Sequence, residues 1–416
     1  MMTVDQGDVS PTVPLLRNRD YVIRFTGQIV STLGTRISTI AFPLLTLSLT
    51  RSALQVGIVS ALGNLPPLVV GLPVGALIDR WDRKRVAILS DAVRGLNLAS
   101  IPVALAVGQL TIGQLYTNAL VDGMMSILFF TALQASTRHI VPPQHLAQNA
   151  QYDQFAVFSL GIIGPPTGGI LYAVGSAIPF LTDAISYSAS VVSLLFLRSE
   201  FQLERQARQR DLLGEIREGL VWVWGHGTLR ALVAASSLFQ VVRSGTLLVL
   251  IVLARRAGAT PFEIGVIFAL MSVGGIVGSV ISHRLQRVFT IGHISIGVVW
   301  IYTLLYPLLM VVPSPLFFGF ITGLWAIGLP AMQIVQGAYR QLLVPDRMQG
   351  RVASIVRLSI WSAQSVGAAL AGVLLQSLGG RGTIVAGFVT LVIVGAITTL
   401  TPDIRQAPHL AEVSPA

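Results

Sequence analysis

The chain has 416 residues, of which 53% are hydrophobic and only 11% are charged, whereas soluble globular proteins average about 25% charged residues. A water-soluble surface on a chain of this length would need far more charge, so the composition excludes a soluble protein and points to lipid as the surrounding solvent. The net charge of +10 falls in short runs between apolar segments, which excludes the single basic face of a nucleic-acid-binding protein. The absence of cysteine excludes disulfides, Cys-ligated metals and thiol catalysis.

Apolar segments long enough to cross a bilayer recur along the whole chain. A bilayer core of about 30 Å needs roughly 20 apolar residues as a helix, and the runs are longer than the alternating ten-residue segments of a membrane β-barrel. The predicted fold class is therefore an all-α membrane protein with twelve transmembrane helices. They are expected near 21–48, 53–78, 86–107, 112–135, 150–173, 177–197, 229–253, 262–282, 291–312, 315–338, 352–377 and 382–402.

Basic residues predict the orientation of these helices. The polar residues 1–20 lead directly into a full-length span, so we expect an uncleaved first helix rather than a signal peptide. One set of loops holds Arg17, Arg19, Arg80, Arg83, Lys84, Arg85, Arg138, the arginines of 198–217, Arg284, Arg287, Arg340, Arg347, Arg351 and Arg405. The opposite set holds only Arg51, Arg255, Arg256 and Arg381. This bias predicts a bacterial inner-membrane protein with both termini in the cytoplasm.

The longest hydrophilic stretch, 198–228, divides the twelve spans into two sets of six. It predicts an N-terminal bundle over 1–197, a C-terminal bundle over 229–402 and a cytoplasmic tail over 403–416. Its second part has apolar residues at helical spacing, which predicts an amphipathic helix on the cytoplasmic interface; a disordered linker is the alternative. These apolar residues are Leu212, Leu213, Ile216, Leu220 and Val223.

The two halves also resemble each other in sequence. Residues 55–62 parallel 263–270, and 138–142 parallel 340–345, at an offset of about 200 residues in both cases. An internal repeat of this kind is a common plan of secondary transporters. It predicts two pseudo-symmetric six-helix bundles.

A charged loop follows the second span, and it reads Gly75-Ala-Leu-Ile-Asp79-Arg80-Trp-Asp82-Arg83-Lys84-Arg85. The string resembles the loop-two signature of the major facilitator superfamily, in which Arg80, Arg83 and Lys84 belong to the basic cluster. The resemblance implies that Gly75 lets another helix approach closely and that Asp79 can sit at a helix N-terminus across the bundle interface, where the helix dipole favours an anion. The string departs from that signature at Asp82, where the superfamily usually has Gly.

The fifth span carries a second motif, with Gly161, Gly164, Pro165, Gly168 and Gly169. It resembles the antiporter motif of superfamily exporters. Pro165 removes an amide donor and can bend the helix, while the glycines leave a smooth face that could serve as a pivot between the halves. Ordinary small-residue packing is the alternative.

The whole chain resembles the branch of the superfamily that contains enterobactin exporters and macrolide or tetracycline efflux pumps. The resembling features are Ser31–Gly34 with Ala41–Leu44, the Ser90-Asp91-x-x-Arg94 string, and Glu218–Trp222. The resemblance implies the major facilitator fold and proton-coupled efflux by alternating access. Members of that branch often have an acidic residue after the glycine that corresponds to Gly34, whereas this chain has Thr35 followed by Arg36.

Ionisable residues inside the spans are candidates for proton coupling, because they are costly in a membrane and tend to be functional. Arg36 and Asp122 lie near the middle of the first and fourth spans, which both line the central cavity in the superfamily architecture. We expect them to pair and to leave a carboxylate that binds a proton when the pair opens; a static salt bridge is the alternative. Asp183 and Arg243 form a second set, with Asp183 expected nearer the outer end.

Other polar residues of the spans predict weaker roles. Asn118, Gln240 and Gln333, with Gln154, Gln336 and Gln364, are candidates for the cavity wall, and interhelical hydrogen bonding is the alternative for each. Asp91, Arg94 and Arg357 are expected to brace the charged loop rather than to touch substrate.

The predicted function is secondary active transport, as proton-coupled export of an amphipathic small molecule such as a drug or siderophore. An uptake transporter or a lipid flippase on the same fold is the alternative, and a membrane enzyme or scaffold is a third. No nucleotide-binding, zinc or catalytic-triad motif is present, so we expect no enzyme activity, no metal and no cofactor beyond the proton gradient. The expected partners are the lipid bilayer and a small-molecule substrate, with no nucleic acid, and the expected state is a monomer.

Overall fold

A computed structural model describes residues 14–198, 201, 212–311, 314–407 and 409. Within these residues the chain is helical and has no strand, and twelve helices are long and apolar enough to cross a membrane. This confirms the predicted fold class. The helices are α1 Arg19–Thr50, α2 Ala53–Arg80, α3 Arg83–Ala106, α4 Ile112–Ile140, α5 Leu146–Val174, α6 Ile178–Phe196, α7 Leu212–Gly225, α8 Gly227–Arg256, α9 Pro261–Val288, α10 Ile291–Leu305, α11 Pro315–Leu343, α12 Asp346–Ser377, α13 Gly379–Leu400 and α14 Pro402–Arg405.

Polar caps start several of the spans at the membrane surface. Thr260 forms a capping box with Glu263 at the start of α9, which satisfies the backbone N–H groups of Thr260 and Glu263. Asp82 caps α3 by accepting a hydrogen bond from the Arg85 amide at 3.0 Å. Asp82 is the position at which the chain departs from the family loop signature. The N-cap role gives this departure a local structural reason, because the aspartate begins the next helix.

The helices form two six-helix bundles, α1–α6 and α8–α13, that meet along two pairs of helices. In the first bundle α1 packs on α5 and α6, and α4 packs on α2 and α3. In the second bundle α9 packs on α11, and α8 packs on α12 and α13. The bundles meet where α5 packs on α9 and α2 packs on α12.

The sequence repeat coincides with equivalent positions in the two bundles. Residues 55–62 and 263–270 occupy the first turns of α2 and α9, each the second span of its bundle. Residues 138–142 and 340–345 lie at the ends of α4 and α11, each the fourth span. The pseudo-symmetry predicted from sequence is therefore present in the fold.

Both ends of the described chain lie on one side of the helices, which we call the termini side. The Arg198 amide, just after α6, donates to the Asp20 carboxylate at the start of α1 at 3.2 Å. The Thr228 hydroxyl at the start of α8 bonds the carboxylate of Asp403, which follows the last span. An even number of spans requires this arrangement.

Helix α7 connects the bundles on the termini side. Val223 is 2% exposed and packs against α12, and Glu218 forms an ion pair with Arg351 of α12. Leu220, Val221 and Trp224 are exposed. The exposed apolar side is therefore formed by these three residues rather than by Val223, and the side chains of Leu212, Leu213 and Ile216 lie outside the described residues, as does the linker segment 202–211.

Candidate functional site

The fifth helix lies between α1 of its own bundle and α9 of the other bundle. Gly164 and Gly168 face α1: a methyl group at Gly168 would lie 3.1 Å from Ile37 Cα, and one at Gly164 would overlap the Arg36 side chain. Gly161 and Gly169 contact α9: a methyl group at Gly161 would lie 2.6 Å from Ser272 Oγ, and one at Gly169 would lie 2.7 Å from Phe262 Cα. The motif glycines therefore allow α5 to approach both α1 and α9 closely, and α5 keeps one unbroken helix through Pro165.

The charged loop between α2 and α3 is held to its own bundle. Arg83 donates to the carbonyl oxygen of Ala135 at 3.1 Å, and Lys84 Nζ donates to the carbonyl oxygen of Leu197 at 2.7 Å. Leu197 is the C-cap residue of α6, so the Lys84 bond satisfies a carbonyl group at a helix end, where the helix dipole favours a cation. Arg80 is exposed. The backbones of Gly75 and Asp79 belong to α2, but their side-chain positions lie outside the described residues, so the predicted role of Asp79 stays a prediction.

The central feature of the first bundle is an ion pair between α3 and α4. Arg94 Nε lies 2.8 Å from Asp122 Oδ1, and the guanidinium also lies 3.7 Å from Asp91 Oδ1. It stacks over the Tyr187 ring at 4.2 Å. The Arg94 and Asp91 side chains are 7% and 0% exposed, whereas that of Asp122 is 27% exposed. One buried cation therefore joins a fully buried carboxylate to one that reaches open space.

The predicted Arg36–Asp122 pair is wrong. Asp122 is bonded to Arg94, and Arg36 has no hydrogen bond or ion pair among the described residues; its side chain packs against Gly164. Position along the helix axis placed both residues at mid-membrane. The direction in which each side chain points depends on the rotation of its helix about its own axis, which the sequence does not give. The expectation that Arg94 only braces the charged loop is also wrong.

Asp183, which was expected nearer the outer end of its span, is fully buried. Its carboxylate accepts hydrogen bonds from the Ser38 hydroxyl of α1 and from the Ser186 hydroxyl one turn along α6. It lies close enough to Arg94 and Asp122 to interact with them electrostatically. Asp183 therefore belongs to the same polar network as Arg94 and does not pair with Arg243.

A cavity of about 340 Å³ lies between the bundles beside this network. Asp122 is the one ionisable residue among those that line it. The position of Asp122 follows from the close contact of α4 with α2. The backbone of Gly63 in α2 occupies the space that a side chain at Gly123, the next residue of α4, would need. The remaining wall combines apolar and small polar groups from both bundles: Thr39, Phe42, Pro43, Val59, Ser60, Asn64, Ser244, Leu247, Leu248, Ile251 and Phe268.

A second cavity, of about 450 Å³, lies within the C-terminal bundle. Arg243, Gln240 and Gln333, all singled out from sequence, line it. Arg243 Nε donates to Gln240 Oε1 at 2.9 Å. The cavity is lined in addition by Ser236, Phe239, Leu329, Met332, Gln336, Arg340, Ile360, Gln364 and Thr398.

Asn118 belongs to helix packing rather than to a cavity wall. It is 2% exposed, and its amide donates to Asn97 and to the Ser100 hydroxyl at 3.0 Å. These bonds join α4 to α3 just above the Arg94–Asp122 pair, which supports the geometry of that pair. Within the part of the chain that is described, no group of three His, Asp or Glu residues could hold a metal ion.

Sequence reasoning missed a buried arginine near the termini side. Arg24 is 3% exposed and donates to Thr137 at 3.3 Å and to Asn149 at 3.1 Å, so it links α1 to α4 and α5. Arg24 lies close to the polar residues that precede the first span, so sequence reasoning did not treat it as an ionisable residue inside the span. Its spacing three residues from Tyr21 and Gly27, both buried, would have placed it on the inner face of α1.

Comparison with known proteins agrees with this architecture. The family described as transmembrane secretion effector matches residues 9–413. The multidrug efflux pump Tap of Mycolicibacterium fortuitum is 28% identical over 90% of this chain and 93% of its own length. The enterobactin exporter EntS of Citrobacter koseri is 25% identical over 94% of each chain.

Solved transporters share the fold at low sequence identity. The inward-facing, unoccupied structure of a bacterial homologue of the human lysosomal transporter Spinster superposes with a TM-score of 0.72 at 14% identity, covering 97% of this chain and all of that one. The inward-facing structure of a bacterial ferroportin homologue superposes with a TM-score of 0.72 at 16% identity, covering 91% and 98%. The chain therefore belongs to the transmembrane secretion effector family, and it is a multi-pass membrane transporter of the major facilitator superfamily rather than an enzyme.

Proposed function

We propose that this protein exports an amphipathic small molecule from the cytoplasm in exchange for protons, by alternating access. The observation that carries the proposal is the Arg94–Asp122 pair at the edge of the cavity between the bundles. A carboxylate that faces a cavity and is held by a buried cation can exchange its partner for a proton without leaving a charge exposed to lipid.

The arrangement of the charges supports a proton-binding step at Asp122. Arg94 contacts two carboxylates, so Arg94, Asp91 and Asp122 together carry one negative charge in excess when both of these carboxylates are ionised. A proton on Asp122 removes that excess and leaves Arg94 paired with Asp91. The loss of the 2.8 Å bond would then remove one link between α4 and α3, which is the proposed connection between proton binding and bundle movement.

The packing between the bundles supports alternating access. Away from the termini side, Gly57 lies against Gly372 and Gly169 lies against Phe262, so the bundles are in close contact there. Cavities of about 280 and 520 Å³ lie nearer the termini side. With the termini in the cytoplasm, as the basic residues predict, this arrangement is an inward-facing state in the bacterial inner membrane.

The names of the relatives support export over uptake, since they are a multidrug efflux pump and an enterobactin exporter. The antiporter-like motif of α5 agrees with that direction. The mixture of apolar walls and isolated polar groups in the interbundle cavity suits an amphipathic molecule. We propose that the transporter acts as a monomer and uses no cofactor beyond the proton gradient.

An export screen tests the proposal. The gene would be expressed in an efflux-deficient bacterial host, and retention of tetracycline, a macrolide and enterobactin would be compared with retention in cells that carry the Asp122→Asn variant at equal membrane levels. We expect lower retention of at least one compound, which a protonophore reverses. Export that persists after the proton gradient collapses would contradict proton coupling, and uptake of the compounds would contradict the direction.

A further inference from the structure

The cavity inside the C-terminal bundle is cationic. Arg243 projects into it from α8 and Arg340 from α11, and the rest of its polar wall is built mainly from glutamines. No aspartate or glutamate is among the residues that line it. Within the described residues, the cavity therefore holds two guanidinium groups without a carboxylate to balance them, which is the reverse of the acidic cluster around Arg94.

Some hydrogen-bond donors of the residues that line this cavity have no acceptor within the described structure. Arg243 donates through Nε to Gln240, and no described carboxylate pairs with its guanidinium. Gln240 is 8% exposed, and its Nε2 group has no hydrogen-bond partner within the described structure. A buried amide donor that lacks a partner is costly, as is an arginine inside a membrane without a counter-ion. Both groups line the same cavity, so one bound anion would satisfy both.

Arginines continue from this cavity toward the termini side. Arg340 also lines the neighbouring cavity of about 280 Å³, where it is joined by Arg357. Arg357 in turn lines the cavity of about 520 Å³ at the bundle interface. Among the described residues that line these two cavities there is no aspartate or glutamate. The three arginines thus form a basic route between the termini side and Arg243.

We propose that the C-terminal bundle binds the anionic group of an amphipathic ligand, with Arg243 and Gln240 as its donors and Arg340 and Arg357 along its entry route. The group is a carboxylate, sulfonate or phosphate, because the planar guanidinium fork matches these oxygen anions. Phe239, Leu329, Met332 and Ile360 supply apolar wall for the remainder of the ligand. We infer that this ligand is the exported molecule, and this part of the inference rests on the proposed function.

Equilibrium binding without any gradient tests the site separately from export. Purified protein in phosphatidylcholine nanodiscs would be titrated calorimetrically with 2-naphthoate and with its neutral analogue 2-naphthamide, and empty nanodiscs would supply the baseline. We expect naphthoate to bind at least about tenfold more tightly, the value of one charge-assisted hydrogen bond. Arg243→Gln should remove this preference. The control Arg256→Gln makes the same charge change at an exposed position of the same helix and should keep it.

Gln240→Glu provides a second variant in case Arg243→Gln does not fold. The new carboxylate would pair with Arg243 and repel an anion, so the preference should again disappear while the thermal stability is kept. Equal affinity of the wild-type protein for the two naphthalene compounds would overturn the proposal. So would a preference that survives in folded Arg243→Gln and Gln240→Glu proteins.

Repeating the titration with phosphatidylglycerol in the nanodiscs identifies the source of the anion. Competition by this lipid in the wild-type protein assigns the site to a lipid headgroup, and lack of competition assigns it to a small amphiphile; the anion site stands in both cases. The test also separates this inference from the export proposal. Selective binding without proton-driven export would contradict the export function and support the anion site. Export without any preference for the anion would support the export function and contradict the anion site.

Discussion

Gly57 of α2 and Gly372 of α12 lie in direct contact across the two bundles. A methyl group added to Gly57 would lie 2.8 Å from Gly372 Cα and 2.8 Å from the Ala368 carbonyl oxygen. The contact lies on the side of the membrane away from the termini. Because backbone atoms fill the space on both sides, the two helices can approach this closely only while both positions are glycine.

Gly57→Ala should therefore disfavour the arrangement that is closed on this side. Overpacking against backbone costs about 1–3 kcal/mol, so the ratio of the two transporter states should shift by a factor of roughly 5 to 150. Labelling of a cysteine introduced at Ser52 by a membrane-impermeant maleimide should speed up accordingly. Gly297→Ala is the matched control, because nothing lies within 4 Å of the added methyl group. An unchanged labelling rate in Gly57→Ala would show that the contact does not limit opening.

Asp122→Asn should abolish proton-driven export while the ability to bind substrate survives. The amide keeps the volume and one acceptor for Arg94, but it cannot take up and release a proton. The measurement is export from proteoliposomes under an imposed pH gradient, together with binding at equilibrium. Asp346→Asn is the control, since Asp346 is exposed at the start of α12. Normal proton-dependent export by Asp122→Asn would move the coupling role to Asp183 or Asp91.

Asp82→Ala should lower the stability of the protein by about 1 kcal/mol, because α3 loses its N-cap bond to the Arg85 amide. Asp82→Gly should cost only a few tenths of a kcal/mol, which would explain why the family signature tolerates glycine here. Asp82→Asn keeps the cap and removes the charge, and its effect should be small because the ion pair with Arg85 is exposed. Thermal unfolding of the purified variants gives the order; equal values for Ala and Asn would refute the capping role.

The orientation of the chain can be tested because the protein has no cysteine of its own. Gly225→Cys lies on the termini side and Gly113→Cys lies on the opposite side, and both added side chains meet open space or nothing closer than 3.9 Å. In intact cells whose outer membrane has been permeabilised, an impermeant maleimide should label Gly113→Cys only. Labelling of Gly225→Cys under these conditions would reverse the proposed topology.

The sequence by itself determined the number and approximate bounds of the spans, the internal repeat and the family. These properties depend on the length of apolar runs and on local strings such as Gly75–Arg85, which are readable without knowledge of the fold. It also identified Gln240, Arg243 and Gln333 as polar residues within the spans, and the spacing of Asp91 and Arg94 was enough to place them on one face of α3. The depth of a residue in the membrane follows directly from its position within its apolar segment.

Only the tertiary structure decided which charges meet. Arg36 and Asp122 have similar depth, but α1 presents Arg36 to the glycine face of α5, whereas α4 presents Asp122 to Arg94. The direction of a side chain around its helix axis depends on how that helix packs, and in a membrane the apolar pattern does not reveal this, since lipid-facing and buried faces are both apolar. For the same reason, the sequence does not reveal that Arg94 meets carboxylates in one bundle, whereas Arg243 and Arg340 line a cavity without a described carboxylate in the other.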